Sequence, residues 1–176
     1  MTTYTYDSLN KMTQITYPDN SYTTFAYNAV GNKTSMMDTN GYWSYSYDSL
    51  NRPISATDYD NKTISYSYMA TGQRYQVTDP DSGITSYSYD GAGRLSKVKN
   101  PLNEETVYSY NAVGLVTQVT YNNGTYTTYV YDAANRLTEL ENKKSDDTII
   151  SSFVYEYDKA GNRTKVILSN GDYIDY

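Results

Sequence analysis

The sequence predicts an all-β fold, an antiparallel meander of about eight two-stranded repeats of about 21 residues, and three observations carry that expectation. A motif Y-x-Y-D, or a close variant, recurs with its second aromatic residue at Tyr6, Tyr27, Tyr47, Tyr68, Tyr89, Tyr110, Tyr131 and Tyr157, in steps of 21, 20, 21, 21, 21, 21 and 26 residues. A constant step means that one small unit is copied. Four residues beyond each of those tyrosines stands Asn10, Gly31, Asn51, Gly72, Gly93, Gly114, Asn135 or Gly161, the two residue types that most readily accept positive φ. Between these turn signals, apolar and polar residues alternate with period two.

The first strand of each repeat carries the aromatic pair: Tyr4 and Tyr6, Phe25 and Tyr27, Tyr45 and Tyr47, Tyr66 and Tyr68, Tyr87 and Tyr89, Tyr108 and Tyr110, Tyr129 and Tyr131, Tyr155 and Tyr157. Residues two apart share a strand face. The residue between them is small or polar in most copies (Thr5, Ala26, Ser46, Ser67, Ser88, Ser109), with Val130 and Glu156 the larger exceptions. The turn opens on Asp7, Asn28, Asp48, Asp90, Asn111, Asp132 or Asp158, whose short side chains accept backbone N–H bonds as in an Asx-turn; Met69 is the outlier.

The second strand resumes the alternation, for example Thr117 and Val119 on one face with Gln118 on the other. A second turn follows, as in Asp58-Tyr59-Asp60-Asn61, Asp79-Pro80-Asp81-Ser82-Gly83 or Asn122-Asn123-Gly124. About sixteen strands result, with one tyrosine-valine face and one polar face. A single 21-residue hairpin buries too little apolar surface to offset its ordering entropy, so stability must come from stacking repeat on repeat. The repeat runs throughout residues 1–176, which we read as one array. The one sizeable insertion, around Asn142-Lys143-Lys144-Ser145-Asp146-Asp147, predicts a longer solvent loop near 142–150.

Composition removes several classes of function. A net charge of -6 gives no electrostatic reason to expect nucleic acid, and no apolar run is long enough for a membrane helix. Met1 leads into Thr2-Thr3-Tyr4 without the pattern of a signal peptide. With no cysteine and no histidine, disulfides, thiolate chemistry, Ser-His catalysis and imidazole metal sites are all excluded. The 24 tyrosines bury a large ring each and require one partner for the hydroxyl, so the core-forming capacity exceeds what a mean hydropathy of -0.74 suggests.

No residue is assigned a catalytic, metal or cofactor role. Asp38-Thr39-Asn40-Gly41 has no second copy with which to form a carboxylate dyad. The acidic turns offer too few oxygens for a calcium loop. The residues of the regular register, including Asp7, Gly31, Asp48, Gly72, Asp90, Gly93, Gly114, Asp132, Asp158 and Gly161 with the aromatic pairs, are structural. Tyr17, Tyr22, Tyr42, Tyr59, Tyr75, Tyr121, Tyr126 and Tyr173 lie off the register and are the candidates for exposed contacts.

Y-x-Y-D followed by x-x-G/N-R/N, as in Tyr129-Val130-Tyr131-Asp132-Ala133-Ala134-Asn135-Arg136-Leu137 and Tyr155-Glu156-Tyr157-Asp158-Lys159-Ala160-Gly161-Asn162-Arg163, resembles the YD-repeat or Rhs-repeat family over essentially the whole chain. That family includes bacterial polymorphic toxins, wall-associated proteins, the cocoon subunits of insecticidal toxin complexes and teneurins. The resemblance implies a spiralling β-sheet shell around a toxic domain, and a secreted or cell-surface location. It carries over no catalytic residue, because no effector and no D-P-x-G-L-like element follows the repeats here. About sixteen strands spaced ~4.8 Å apart make a strip ~77 Å long, too short to close around a folded domain. The resemblance therefore implies a non-enzymatic section of shell wall, with the rest of a larger shell protein or a toxin cargo as partner. A cell-surface adhesion or carbohydrate-binding module, with a glycan or protein partner, is the alternative. Unpaired edge strands add the expectation of edge-to-edge self-association.

Overall fold

The computed structural model describes all 176 residues, and every regular element in it is a β-strand. Seventeen strands are present, one more than the repeat count requires. The chain divides into two compact units, Met1–Thr85 and Ser86–Tyr176.

The first unit holds β1 (Thr3–Tyr6), β2 (Met12–Thr16), β3 (Tyr22–Tyr27), β4 (Lys33–Asp38), β5 (Gly41–Tyr47), β6 (Pro53–Thr57), β7 (Thr63–Tyr68) and β8 (Arg74–Thr78). Each pairs antiparallel with the next. The second unit holds all but the first two residues of β9 (Ile84–Tyr89), then β10 (Leu95–Lys99), β11 (Glu105–Tyr110), β12 (Val116–Thr120), β13 (Tyr126–Tyr131), β14 (Leu137–Lys143), β15 (Ile149–Tyr157), β16 (Arg163–Leu168) and β17 (Tyr173–Asp175). It is likewise a meander, with consecutive strands antiparallel.

Register explains the alternation. The first aromatic residue of each repeat stands opposite an aliphatic one: Tyr4 on Ile15, Phe25 on Met36, Tyr45 on Ala56, Tyr66 on Val77, Tyr87 on Val98, Tyr108 on Val119, Tyr129 on Leu140 and Tyr155 on Val166. The row continues onto the next strand, as in Tyr108, Val119, Thr127. The opposite face carries rows such as Ser109, Gln118, Thr128, Glu141, Ser152. Cross-strand pairs of this kind are the unit of sheet stability.

Burial is shallow. Only Val119, Val166, Thr23 and Thr127 are buried, and no side chain is completely enclosed. The tyrosines are therefore half-buried at best, and Tyr4 and Tyr6 in β1 are 54% and 53% exposed. A sheet face with no second layer upon it leaves its rings partly open to water, so stability must lie in lateral contacts.

The turns follow one design. In the first, Asp7 N–H donates to Lys11 O and Asn10 N–H to Asp7 O, while Asp7 Oδ1 accepts from Leu9 and Lys11 N–H. The expected left-handed residues are all found: Asn10, Gly31, Asn51, Gly72, Gly93, Gly114, Asn135 and Gly161 have positive φ. Each Y-x-Y hairpin also shifts register before its second tyrosine, for instance between Ser109 and Tyr110. A bulge at that point bends the strand and raises its local twist.

The two irregular steps have structural causes. The 20-residue step arises because β4 and β5 are joined by Thr39 and Asn40 alone, with Asp38 Oδ1 accepting from Asn40 and Gly41 N–H at 2.8 and 3.2 Å. The 26-residue step corrects an expectation. The inserted residues lengthen the strands rather than the loop, since β14 has 7 residues against 5 in β12 and β15 has 9 against 6 in β13, and the connection left within 142–150 is residues 144–148. Asn142 explains why: its side chain accepts from Thr127 Oγ1 and donates to Ser151 Oγ, tying three strands together. The turn itself retains the common pattern at Lys144 to Thr148.

Met69 opens a turn with the same backbone bonds as its counterparts but no side-chain acceptor. Met69→Asp should supply that acceptor and raise stability by about 0.5–1 kcal/mol, read as a higher urea midpoint. An unchanged or lower midpoint would show that the side chain contributes nothing to the turn.

Candidate functional site

The feature with the most specific geometry is the seam between successive repeats. The second tyrosine of a repeat reaches back across the sheet and its phenol donates to a main-chain carbonyl of the preceding repeat. Tyr27 bonds Met12 O at 2.9 Å, Tyr47 Lys33 O at 2.8 Å and Tyr68 Pro53 O at 2.8 Å. Tyr110 bonds Leu95 O at 2.7 Å, Tyr131 Val116 O at 2.9 Å and Tyr157 Leu137 O at 2.7 Å. In every case the acceptor lies six residues past the preceding repeat's second tyrosine. The hydroxyl thus satisfies itself on the neighbouring copy, and each such bond contributes about 1 kcal/mol.

An arginine reinforces the seam in alternate repeats. Arg52 Nε pairs with Asp48 Oδ2 at 2.7 Å, its Nη1 donates to Met69 O at 3.3 Å, and its Cζ lies 4.5 Å from the Tyr68 ring centroid. Arg94 repeats the arrangement with Asp90, Asn111 O and Tyr110, and Arg136 does so with Asp132, Asp158 O and Tyr157. One guanidinium therefore holds its own turn, the next turn and the next ring. Between the second and third repeats, where no arginine stands, Asn32 Nδ2 donates to Asn51 Oδ1 at 3.1 Å and makes a shorter bridge between their turns.

These contacts set the local electrostatics. The carboxyls of Asp48, Asp90 and Asp132 are held below the ordinary carboxylate value, first by the backbone N–H of the arginine four residues on, against a desolvation cost, and then by its guanidinium. A carboxylate whose folded pKa is depressed stabilises the fold above its unfolded pKa, and that stabilisation is lost as pH falls through the folded value. The melting temperature should accordingly fall below about pH 4, and an Asp48→Asn, Asp90→Asn, Asp132→Asn variant should show a shallower acid limb in a pH series. An identical acid limb in the variant would contradict it. Burial pushes the phenols of Tyr129 and Tyr131 upward.

Of the off-register tyrosines, Tyr17, Tyr22, Tyr42, Tyr59, Tyr75, Tyr121 and Tyr173 are exposed, whereas Tyr126 is half-buried and donates to the Asp147 carboxylate. The acidic turns use their oxygens internally: Asp58 Oδ1 accepts from Asp60 and Lys62 N–H, and Asp79 Oδ1 from Asp81 and Gly83 N–H. No group of three or more His, Cys, Asp or Glu side chains is placed to hold a metal ion. The seam itself was only half visible in the sequence. Asp and Arg could be read from the motif, but their partners on the next repeat could not.

The model of the RHS Repeat family matches residues 47–84, 68–105 and 110–143, together more than half of the chain. The chain belongs to the RHS repeat family. The Y-x-Y-D turns and the seam are thus the structural content of RHS repeats in this molecule. Among solved structures, the RHS array is similar to TcdB2-TccC3 without its hypervariable C-terminal region (TM-score 0.78, 18% identity, covering 97% of this chain and 11% of that one). It is also similar to TcdB2-TccC3-TEV (TM-score 0.75, 19% identity, 96% and 10%) and to the Photorhabdus luminescens Tc holotoxin pore carrying TccC3-D651A (TM-score 0.55, 16% identity, 96% and 12%). At these identities the likeness concerns the fold, and the chain spans about a tenth of the length of those proteins. No curated protein matches it.

Proposed function

We propose that this RHS array is a non-enzymatic section of a β-shell wall that encloses or displays another domain. The observation that supports it most is the tyrosine seam, which spends the repeated side chains on holding neighbouring hairpins in register and leaves them no chemical task. We read the two compact units as stretches of one array, because the step from Tyr68 to Tyr89 across residue 85 is the ordinary 21 residues. The partner in this reading is the rest of a larger shell protein or a toxin cargo, and the location is secreted or at the cell surface. The resemblance in fold to TcdB2-TccC3 structures, one of which is defined by the lack of a hypervariable C-terminal region, supports that partner class.

The test is to purify the native product from its source and subject it to intact-mass measurement and limited proteolysis. A shell section travels with a second, protease-protected domain. A product of repeats alone, retained on glycan beads, would overturn the reading in favour of adhesion. That second reading rests on the seven exposed off-register tyrosines, amphipathic rings suited to surface contacts. Alanine at Tyr42, Tyr75 and Tyr121 would then abolish retention with the far-UV spectrum unchanged.

A further inference from the structure

One position in the aromatic-aliphatic rows breaks the pattern. Opposite the first aromatic residue, seven repeats place Ile15, Met36, Val77, Val98, Val119, Leu140 or Val166, and the third places Ala56. The loss of the branched side chain is not compensated by its neighbours. A partly enclosed cavity of about 160 Å3 remains, walled by Trp43, Tyr45, Ala56, Ile64 and Pro80. That volume is close to the size at which apolar cavities accept a benzene ring.

The wall has a second unusual feature. Trp43 is the only tryptophan, and its Nε1 is buried with no acceptor in the protein. Trp43 also meets the Tyr59 ring edge-on, 5.6 Å between centroids, and Tyr59 is 48% exposed. A buried donor without a partner is a cost that an acceptor on a ligand removes. Asp58 and Lys62 also line the cavity, one charge of each sign, so the lining carries no net charge that would select an ionic ligand.

We propose that the Ala56 gap is a binding site for a small neutral molecule made of one six-membered aromatic ring and a hydrogen-bond acceptor. The ring fills the space between Tyr45, Ile64 and Pro80, and the acceptor meets the indole N–H after a turn of the Tyr59 ring. This site is independent of the shell reading and neither supports nor weakens it.

Because the chain has one tryptophan, its indole N–H gives a single cross-peak in a nitrogen-15 correlation spectrum, and benzamide is the probe. Benzamide should move that peak saturably and downfield, with a dissociation constant on the order of 1 mM for so small a ligand. Toluene, a ring without an acceptor, should move the Ile64 methyl resonances and leave the indole proton in place. Ala56→Val restores the residue type of the other repeats, keeps the far-UV spectrum, and should weaken benzamide at least ~10-fold by occupying the space. The proposal fails if benzamide gives no saturable shift at Trp43, if toluene moves the indole proton equally, or if Ala56→Val binds as the parent does.

Discussion

Val119→Asp will lose about 3–5 kcal/mol and melt the second unit at a much lower urea concentration than the parent chain. Val119 is among the few buried side chains, 8% exposed, and sits in register between Tyr108 and Thr127. A carboxylate there is desolvated with no cation opposite it, and unpaired buried charge is among the most destabilising of single changes. Ser109→Asp is the control, because Ser109 is exposed on the other face of the neighbouring strand, where a carboxylate should shift stability by no more than about 0.5 kcal/mol. Equal losses from the two variants would mean that the faces are not differentiated as the register indicates.

Gly41→Val is the second large effect, expected to cost about 2–4 kcal/mol. Two causes act together there. Gly41 has φ +142, where a side chain is strained, and a Cβ added to it would lie 2.6 Å from the Tyr59 Cβ. Tyr59 would have to move and release its edge contact with Trp43, so the tryptophan emission should change along with the melting curve. Gly72→Ala separates the two causes, since Gly72 has φ +93 and nothing within 4 Å of the added atom. That variant should lose only about 1 kcal/mol, the backbone strain alone. If Gly41→Val matched Gly72→Ala, the approach of Tyr59 would carry no weight.

How much of this was legible depends on the range of the interaction. Turn chemistry is local, so the eight left-handed positions and the Asx acceptors could be read directly from Asn10 to Gly161. In Asp79-Pro80-Asp81-Ser82-Gly83 the residue at positive φ is Ser82, not the glycine, because Asp79 opens the turn and sets the count. The faces were legible too, since alternation and pairing follow a single period of two. The phenol bonds of the seam were not, because a phenol's acceptor some fifteen residues upstream depends on strand stagger and on a bulge that no residue type announces. The extended β14–β15 hairpin was misread for a related reason. Its charged residues look like loop, yet Lys143 pairs with Glu141 at 2.6 Å and Asn142 bonds both neighbouring strands. The Ala56 gap could have been found by aligning the repeats on one another, where it is the only alanine in its column.

The repeat, not the residue, is the unit of stability, with each tyrosine seam joining one copy to the next. The direct measurement is a pair of deletions compared by urea unfolding. Removing residues 90–110 joins Tyr89 to Asn111 and takes out one whole 21-residue copy, leaving every remaining seam in register. Removing residues 90–99 takes out one turn and β10, so that two first strands meet with no second strand between them. The first deletion should keep a cooperative transition with a midpoint near that of the parent, and the other should lose the cooperative transition in the second unit. Two deletions of equal effect, or a ten-residue deletion tolerated better than the twenty-one-residue one, would contradict it.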